Sequence, residues 1–254
     1  MKKKDKQFKR LFFDIETSYN VIASWRIGYN LTADADSILK ERAIICICYK
    51  YEGDNKVYSL KWDKGCDKKM LIEFAKIMNE ADEVIGHNSD KFDIKWVRTR
   101  CIKHGIPLIP DFKSLDTLKL SKKGFYFNSN KLNYIGQFLN VGKKLPTGGF
   151  ELWKQVVEHN NQKALKTMVD YCCQDVKLLE AVYDKLSPYI QGKTHRAIAE
   201  GKTACNCPEC TSARTISNGV RISASGIKSR RLQCLDCGRY FQISETVYQK
   251  IINE

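Results

Sequence analysis

Two carboxylates stand one residue apart at the end of an apolar run, Leu11-Phe12-Phe13-Asp14-Ile15-Glu16-Thr17. In a β-strand residues i and i+2 share a face, so Asp14 and Glu16 sit side by side, roughly 5–7 Å apart. Like charges at that range repel, and a fold keeps them together mainly when a cation holds them. An acidic pair can equally close a strand at a solvated edge, so this one gains meaning only from what lies downstream. A further carboxylate, Asp93, follows a strand end in Gly86-His87-Asn88-Ser89-Asp90-Lys91-Phe92-Asp93. There Asn88 is placed to cap a helix and Asp93 falls in its first turns. Phe92 would anchor the turn, Asp90 would be a favourable first-turn charge, and His87 reads as a hydrogen-bonding strand-end residue rather than a ligand. The last carboxylate is Asp175. Leu165, Met168, Cys172, Val176, Leu179 and Val182 make an apolar arc at helical spacing, and Asp175 falls inside its edge. A carboxylate pushed towards a core needs a partner, either a salt bridge or a cation. Tyr171 lies one turn back on the same side of that helix.

A second chemistry is written near the end of the chain. Cys207-Pro208-Glu209-Cys210 and Cys234-Leu235-Asp236-Cys237 are two C-x₂-C knuckles with 23 residues between them. Four thiolates at this spacing can close a tetrahedral zinc site, and a module this small folds poorly without such a staple. Cys205 is an extra thiol that could stand in for Cys207. Between the knuckles, Arg214 to Ile222 reads as a hairpin turning at Asn218-Gly219, and Arg239 to Ile243 as a further strand. Together these features predict a zinc ribbon.

The elements that must position the carboxylates follow from periodicity. Residues 8–16 read as a first strand. Arg42 to Lys50 is a continuous apolar run expected of a strand buried on both faces, with Lys56 to Trp62 as its hairpin partner. Leu71, Phe74, Ala75 and Met78 recur at helical spacing, Ala81 to Gly86 is a short strand, and Asp90 to His104 a helix stopped by Gly105 and Pro107. A strand at 110–115 and helices at 131–139, 151–159 and 162–186 complete the series. Three strands in meander, then helix, strand, helix, strand, is the order of a ribonuclease-H-like fold, an α/β mixed sheet flanked by helices. Residues 18–41 read as a long loop, in which Trp25 and Tyr29 are assigned to covering the core rather than to touching bases. The predicted organisation is a first domain at 1–187, a polar linker at 188–204 and the ribbon at 205–254.

Lys and Arg number 43 against 29 acids, a net charge of +14, which favours a polyanionic partner and above all nucleic acid. Residues 188–254 alone carry ten basic and five acidic residues. There Arg214, Arg221, Arg230, Arg231 and Arg239, with Tyr240, would suit a grip on nucleic acid. A ribbon that docks a protein is the competing reading. The basic start is followed by Gln7-Phe8-Lys9-Arg10 instead of an apolar run, and no stretch reaches the length of a membrane span. No membrane association and a cytoplasmic setting are therefore expected, with the eleven cysteines as reduced thiols and metal ligands.

In Phe13-Asp14-Ile15-Glu16-Thr17, His87-Asn88-x-x-x-Phe92-Asp93 and Tyr171-x-x-x-Asp175 the sequence resembles the DEDD superfamily of 3′→5′ exonucleases. Tyr171 four residues before the last Asp, with Asp170 where the other subgroup has His, points to the tyrosine subgroup that includes family B polymerase proofreading domains. The pairing with a zinc ribbon is similar to small phage-encoded nucleases. The resemblance implies two Mg²⁺ or Mn²⁺ ions held by Asp14, Glu16, Asp93 and Asp175, and an attacking water oriented by Tyr171. It also implies strand contacts at Thr17 and Asn88, a structural Zn²⁺ in the ribbon, and DNA favoured over RNA as substrate. A structure-selective endonuclease on the same core and a catalytically inactive nucleic-acid-binding protein are the rival functions.

Overall fold

Residues 10–17 form the strand on which the molecule is built. The structure, a computed structural model, describes residues 7–28 and 31–253. The basic start and Tyr29 lie outside the described residues. In chain order the strands of the first part are β1 (Arg10–Thr17), β2 (Val21–Ile22), β3 (Ile38–Lys40), β4 (Ile44–Tyr51), β5 (Tyr58–Lys61), β6 (Glu83–Gly86) and β7 (Lys113–Asp116). Five of them make one sheet in the order β5-β4-β1-β6-β7. The β1–β4 and β4–β5 pairs are antiparallel, whereas β1–β6 and β6–β7 are parallel. This is an RNase H-like mixed sheet flanked by helices.

The alternation of side chains along β1 decides what each face receives. Leu11, Phe13 and Ile15 pack with Ile44 and Ile47 against α1 (Lys68–Glu80) and α2 (Asp93–His104), through Leu71, Phe74, Met78 and Val97. Phe12 faces the other way, into a core made with Met168, Cys172, Val176, Leu179 and Tyr183. That second face is covered by α6 (Gln162–Leu186), with α3 (Thr117–Gly124), α4 (Leu132–Phe138) and α5 (Phe150–Val157) beside it. Asp14 and Glu16 share the parity of Phe12, so they too point towards α6. Asn161 caps α6 by accepting from the amides of Lys163 and Ala164, as its place before the periodic run allows.

Three expectations need correction. Asn88 does not cap α2: it sits at φ +65 in the turn after β6, and the helix begins only at Asp93. Its left-handed backbone is one that Asn adopts more readily than most residues. The 18–41 segment holds the small β2–β3 sheet, and Trp25, at 104% exposure, covers no core. Helix α3 was not foreseen; Asp116 caps it through the amide of Leu118.

Past α6 the chain forms the short helix α7 (Arg196–Ala199), then β8 (Thr215–Ile222), β9 (Lys228–Cys234), β10 (Tyr240–Ser244) and α8 (Glu245–Ile252). The strands make an antiparallel sheet in the order β10-β9-β8. Asn218-Gly219 is not the hairpin turn. It is a bulge inside β8, where the register slips between Ser217 and Val220 and Gly219 takes φ +90. The turn lies at Ser223–Ile227, closed by the Ser223 amide on the Ile227 carbonyl.

Residues 188–204 are not a free tether. Lys193 Nζ donates to the Ser114 carbonyl at 2.6 Å, Arg196 pairs with Glu52, and Ala197 is buried. Beneath them Arg10 reaches Glu83 at 2.8 Å, Glu52 at 2.8 Å and Glu209 at 2.6 Å, and Tyr183 donates to Glu209 at 2.9 Å. Among the described residues, no helix is long and apolar enough to cross a membrane.

Candidate active site

The parity of β1 and the arc of α6 bring three carboxylates together. One oxygen each from Asp14, Glu16 and Asp175 lie within 4.8 Å of one another. Asp93, the first residue of α2, is buried beside them; its Oδ1 accepts from the Ile15 amide at 3.1 Å, which locks the helix start to β1. Asp116 supports the same turn from behind, accepting from the amides of Asn88 at 2.8 Å and Asp90 at 3.3 Å. His87, as expected, is a hydrogen-bonding residue, joined to Thr117 Oγ1 at 2.9 Å and the Asn130 carbonyl at 3.0 Å. Asp90 is tied to Ser114 and Lys119.

One functional group escaped sequence reasoning. Lys144 Nζ donates to Asp175 Oδ2 at 2.5 Å and to the Tyr171 hydroxyl at 3.1 Å. It lies in a glycine-rich loop with no periodicity, and only its doublet with Lys143 marks it in sequence. Its ammonium group also lies over the Tyr171 ring, 5.2 Å from the centroid.

The electrostatics are those of a site short of positive charge. Burial, followed by neighbouring Cys172, Asp93 and Glu16, pushes the Asp14 carboxyl well above its ordinary range. Burial and then Cys172 and Asp175 raise Glu16 to about 9, even with Lys144 pulling the other way. Burial raises Asp93 to about 7, and it raises Asp175 despite its bond to Lys144. Tyr171 is pushed up to about 12, again chiefly by burial. Asp175 Oδ1 is buried with no hydrogen-bond partner, an orphaned acceptor beside two other carboxylates. A hard divalent cation with oxygen ligands would satisfy that atom and cancel the repulsion, so the donor set fits Mg²⁺ or Mn²⁺.

The second cluster is made by Cys207, Cys210, Cys234 and Cys237. The sulfurs of Cys207 and Cys237 are 3.6 Å apart and those of Cys210 and Cys234 are 3.5 Å apart. A tetrahedron of Zn–S bonds near 2.3 Å has edges of about 3.8 Å, so the four thiols could form a zinc site. Cys205 stands outside it, its carbonyl accepting from Thr215.

The expected nucleic-acid contacts divide. Thr17 is buried, and its hydroxyl accepts from Arg42 at 2.9 Å. Arg239, only 3% exposed, ties down the carbonyls of Ser187 and Ile190 and pairs with Glu209; its role is structural. Arg230 is clamped by Glu245 over the ring of Tyr248, and Arg231 donates to the Asn218 carbonyl. Arg214 is exposed but paired with Asp236. Asn88, Arg221 and Tyr240 keep exposed or half-exposed side chains.

Comparison with known proteins agrees with this architecture. A DNA polymerase of Thermococcus hydrothermalis is 29% identical over 113 residues, covering 40% of this chain and 6% of that protein. The family B DNA polymerase of Pyrobaculum calidifontis superposes with a TM-score of 0.55 at 17% identity, over 77% of this chain and 26% of that one. The chain thus spans about a quarter or less of the length of these relatives. The family model of the RNase H superfamily matches residues 11–187. With the match running from β1 to the end of α6, through every carboxylate of the site, the chain belongs to the RNase H superfamily.

Proposed function

We propose that this chain is a metal-dependent 3′→5′ exonuclease that hydrolyses phosphodiester bonds of DNA, or of RNA, with a zinc ribbon that helps hold the nucleic acid. The observation that carries the reading is the convergence of Asp14, Glu16 and Asp175 within 4.8 Å, with Asp93 locked beside them. Asp14, Glu16 and Asp175 would hold one divalent ion, and Asp14 with Asp93 a second. Bound there, such ions supply charge stabilisation to the attacking and leaving oxygens of an in-line displacement.

The protein's own groups do the rest. Tyr171, held up at about 12, stays protonated at neutral pH, so its hydroxyl orients water instead of acting as the base. Lys144 fixes both that hydroxyl and Asp175, setting their separation before substrate arrives. The Cys207, Cys210, Cys234 and Cys237 thiolates would hold Zn²⁺ as a structural ion. The polymerase relatives support DNA as the substrate, and the DEDD resemblance supports the 3′→5′ direction.

The test uses end-labelled single strands of DNA and RNA with Mg²⁺, Mn²⁺ or EDTA. Shortening one nucleotide at a time from the 3′ end, abolished by EDTA and by Asp175→Ala, is the expected result. Internal cuts would replace the exonuclease with an endonuclease, and binding without cleavage under any metal would overturn the reading.

A further inference from the structure

Residues 117–150 carry six lysines and no acidic residue. Lys119 is spent on Asp90 and Lys144 on Asp175, but Lys122, Lys123, Lys131 and Lys143 make no ion pair among the described residues. The same segment is rich in rings, and these form a continuous series. Tyr189, just past α6, meets Phe125 edge-on at 6.3 Å between centroids, and Phe125 stacks with Phe127 at 5.4 Å. Phe127 meets Phe138 at 5.4 Å, and Phe138 stacks with Tyr134 at 6.2 Å. Phe125 and Phe127 earn part of their place by covering the α6 core. The others do not need to be there for the core: Tyr189 is 80% exposed, Phe138 59%, and Tyr126, between the two stacked rings in sequence, 109%.

The series has two definite ends. At one, Asn133, the residue before Tyr134, accepts from the amide of Lys144 at 2.8 Å, and the side chain of that lysine is bound to Asp175. At the other, Tyr189 lines a groove of about 540 Å³ shared with Lys193, Tyr240 and Phe241 of the C-terminal part. Between Asp175 and Tyr189 the chain advances about 21 Å at 1.5 Å per helical residue, so the rings cover several nucleotides of length and not one.

We infer that this lysine-flanked line of rings is a binding track for single-stranded nucleic acid, running from the carboxylate site to the groove at the C-terminal module. Every base has a face that stacks on an aromatic ring, which makes such a track tolerant of sequence, while unpaired lysines meet the phosphates. A peptide partner is disfavoured by the charge: four unpaired lysines and no acid match a polyanion better than a mixed protein surface. The inference rests on the nuclease reading, because it names the form of substrate that site would receive.

The test is fluorescence anisotropy in EDTA, where binding is read without turnover, using strands of about four and about sixteen nucleotides in DNA and RNA form. Tyr189→Ala and Phe138→Ala should each weaken the long strand by about tenfold, the scale of one lost base stack, and the short strand by no more than about twofold. Tyr189→Phe should keep the wild-type affinity, since the ring and not the hydroxyl is invoked. Loss with either sugar supports the track and identifies the strand it takes. Long-strand binding unchanged in both alanine variants, or long and short strands weakened alike, would overturn it and leave the face for a protein partner. Hydrolysis by the wild type is scored separately, so a failed track and a failed nuclease give different results.

Discussion

The carboxylate cluster should make the metal-free protein less stable than it need be, and Glu16→Gln isolates that cost. The substitution keeps the shape while removing the ionisable group. In the folded chain the Glu16 carboxyl holds its proton up to about 9, against an ordinary value of 4.5. Below 4.5 the folded and unfolded chains both carry the proton. Above it the unfolded chain releases the proton and the folded chain does not, so stability falls as pH rises, at ~1.36 kcal/mol per pH unit, until about 9. At pH 7 the accumulated loss is about 3 kcal/mol, which for a domain of this size corresponds to roughly 6–12 °C in Tm. The assay is urea denaturation in EDTA at pH 5, 7 and 9, for wild type and variant. Glu16→Gln should be the more stable at pH 7, more so at pH 9, and level with wild type near pH 5. Added Mg²⁺ should then stabilise the wild type far more than the variant, because the ion replaces the missing positive charge. A variant no more stable than wild type at pH 7 in EDTA would refute the idea that burial, with its anionic neighbours, holds the proton on Glu16 in the fold.

Three further outcomes follow from individual contacts. Lys144→Met should lower hydrolysis roughly 10–100-fold in a Mg²⁺ titration, since it frees both Asp175 and Tyr171 from a shared support; unchanged turnover would remove Lys144 from the site. Cys234→Ser should abolish binding of one Zn²⁺ per chain in native mass spectrometry and expose β8–β10 to hydrogen exchange, with α6 still protected; retained stoichiometry would refute the ligand set. Arg10→Ala should cost about 3–5 kcal/mol in denaturation, because Glu83 is left buried with no cation, whereas Glu52 and Glu209 keep Arg196 and Arg239. A cost below about 1 kcal/mol would mean that the network is not a net support.

What the sequence made legible is what local geometry controls. The shared face of Asp14 and Glu16 follows from strand parity, and the inward set of Asp175 from helical phase; neither depends on where distant parts of the chain go. The reading failed where an interaction is decided by tertiary packing. Lys144 arrives at Asp175 from a loop 31 residues earlier, with no periodicity to announce it. Arg239 looks, in sequence, like one more cation beside a cysteine knuckle. In the fold, three carbonyl and carboxylate partners consume it. Asn218-Gly219 has the composition of a hairpin turn, but β8 and β9 pair on past it, so the same backbone freedom is used for a bulge instead.

The two halves of the molecule are joined through β1 itself. Arg10, Phe12, Asp14 and Glu16 share one face of that strand, and α6 runs across it in the opposite direction. Tyr183 lies against Phe12 with centroids 5.7 Å apart and under the Arg10 guanidinium at 5.2 Å, while eight residues earlier Asp175 meets Asp14 and Glu16. Four strand residues span about 13 Å and eight helical residues about 12 Å, so the strand and helix stay in step from one contact to the other. Arg10 is also the residue that grips Glu209, inside the first cysteine knuckle. The C-terminal module is therefore fastened to the same strand that carries the carboxylates, but at its far end. At about 3.3 Å per strand residue, Arg10 lies roughly 20 Å along β1 from Glu16, so under the proposed function the module would hold nucleic acid and take no part in the chemistry.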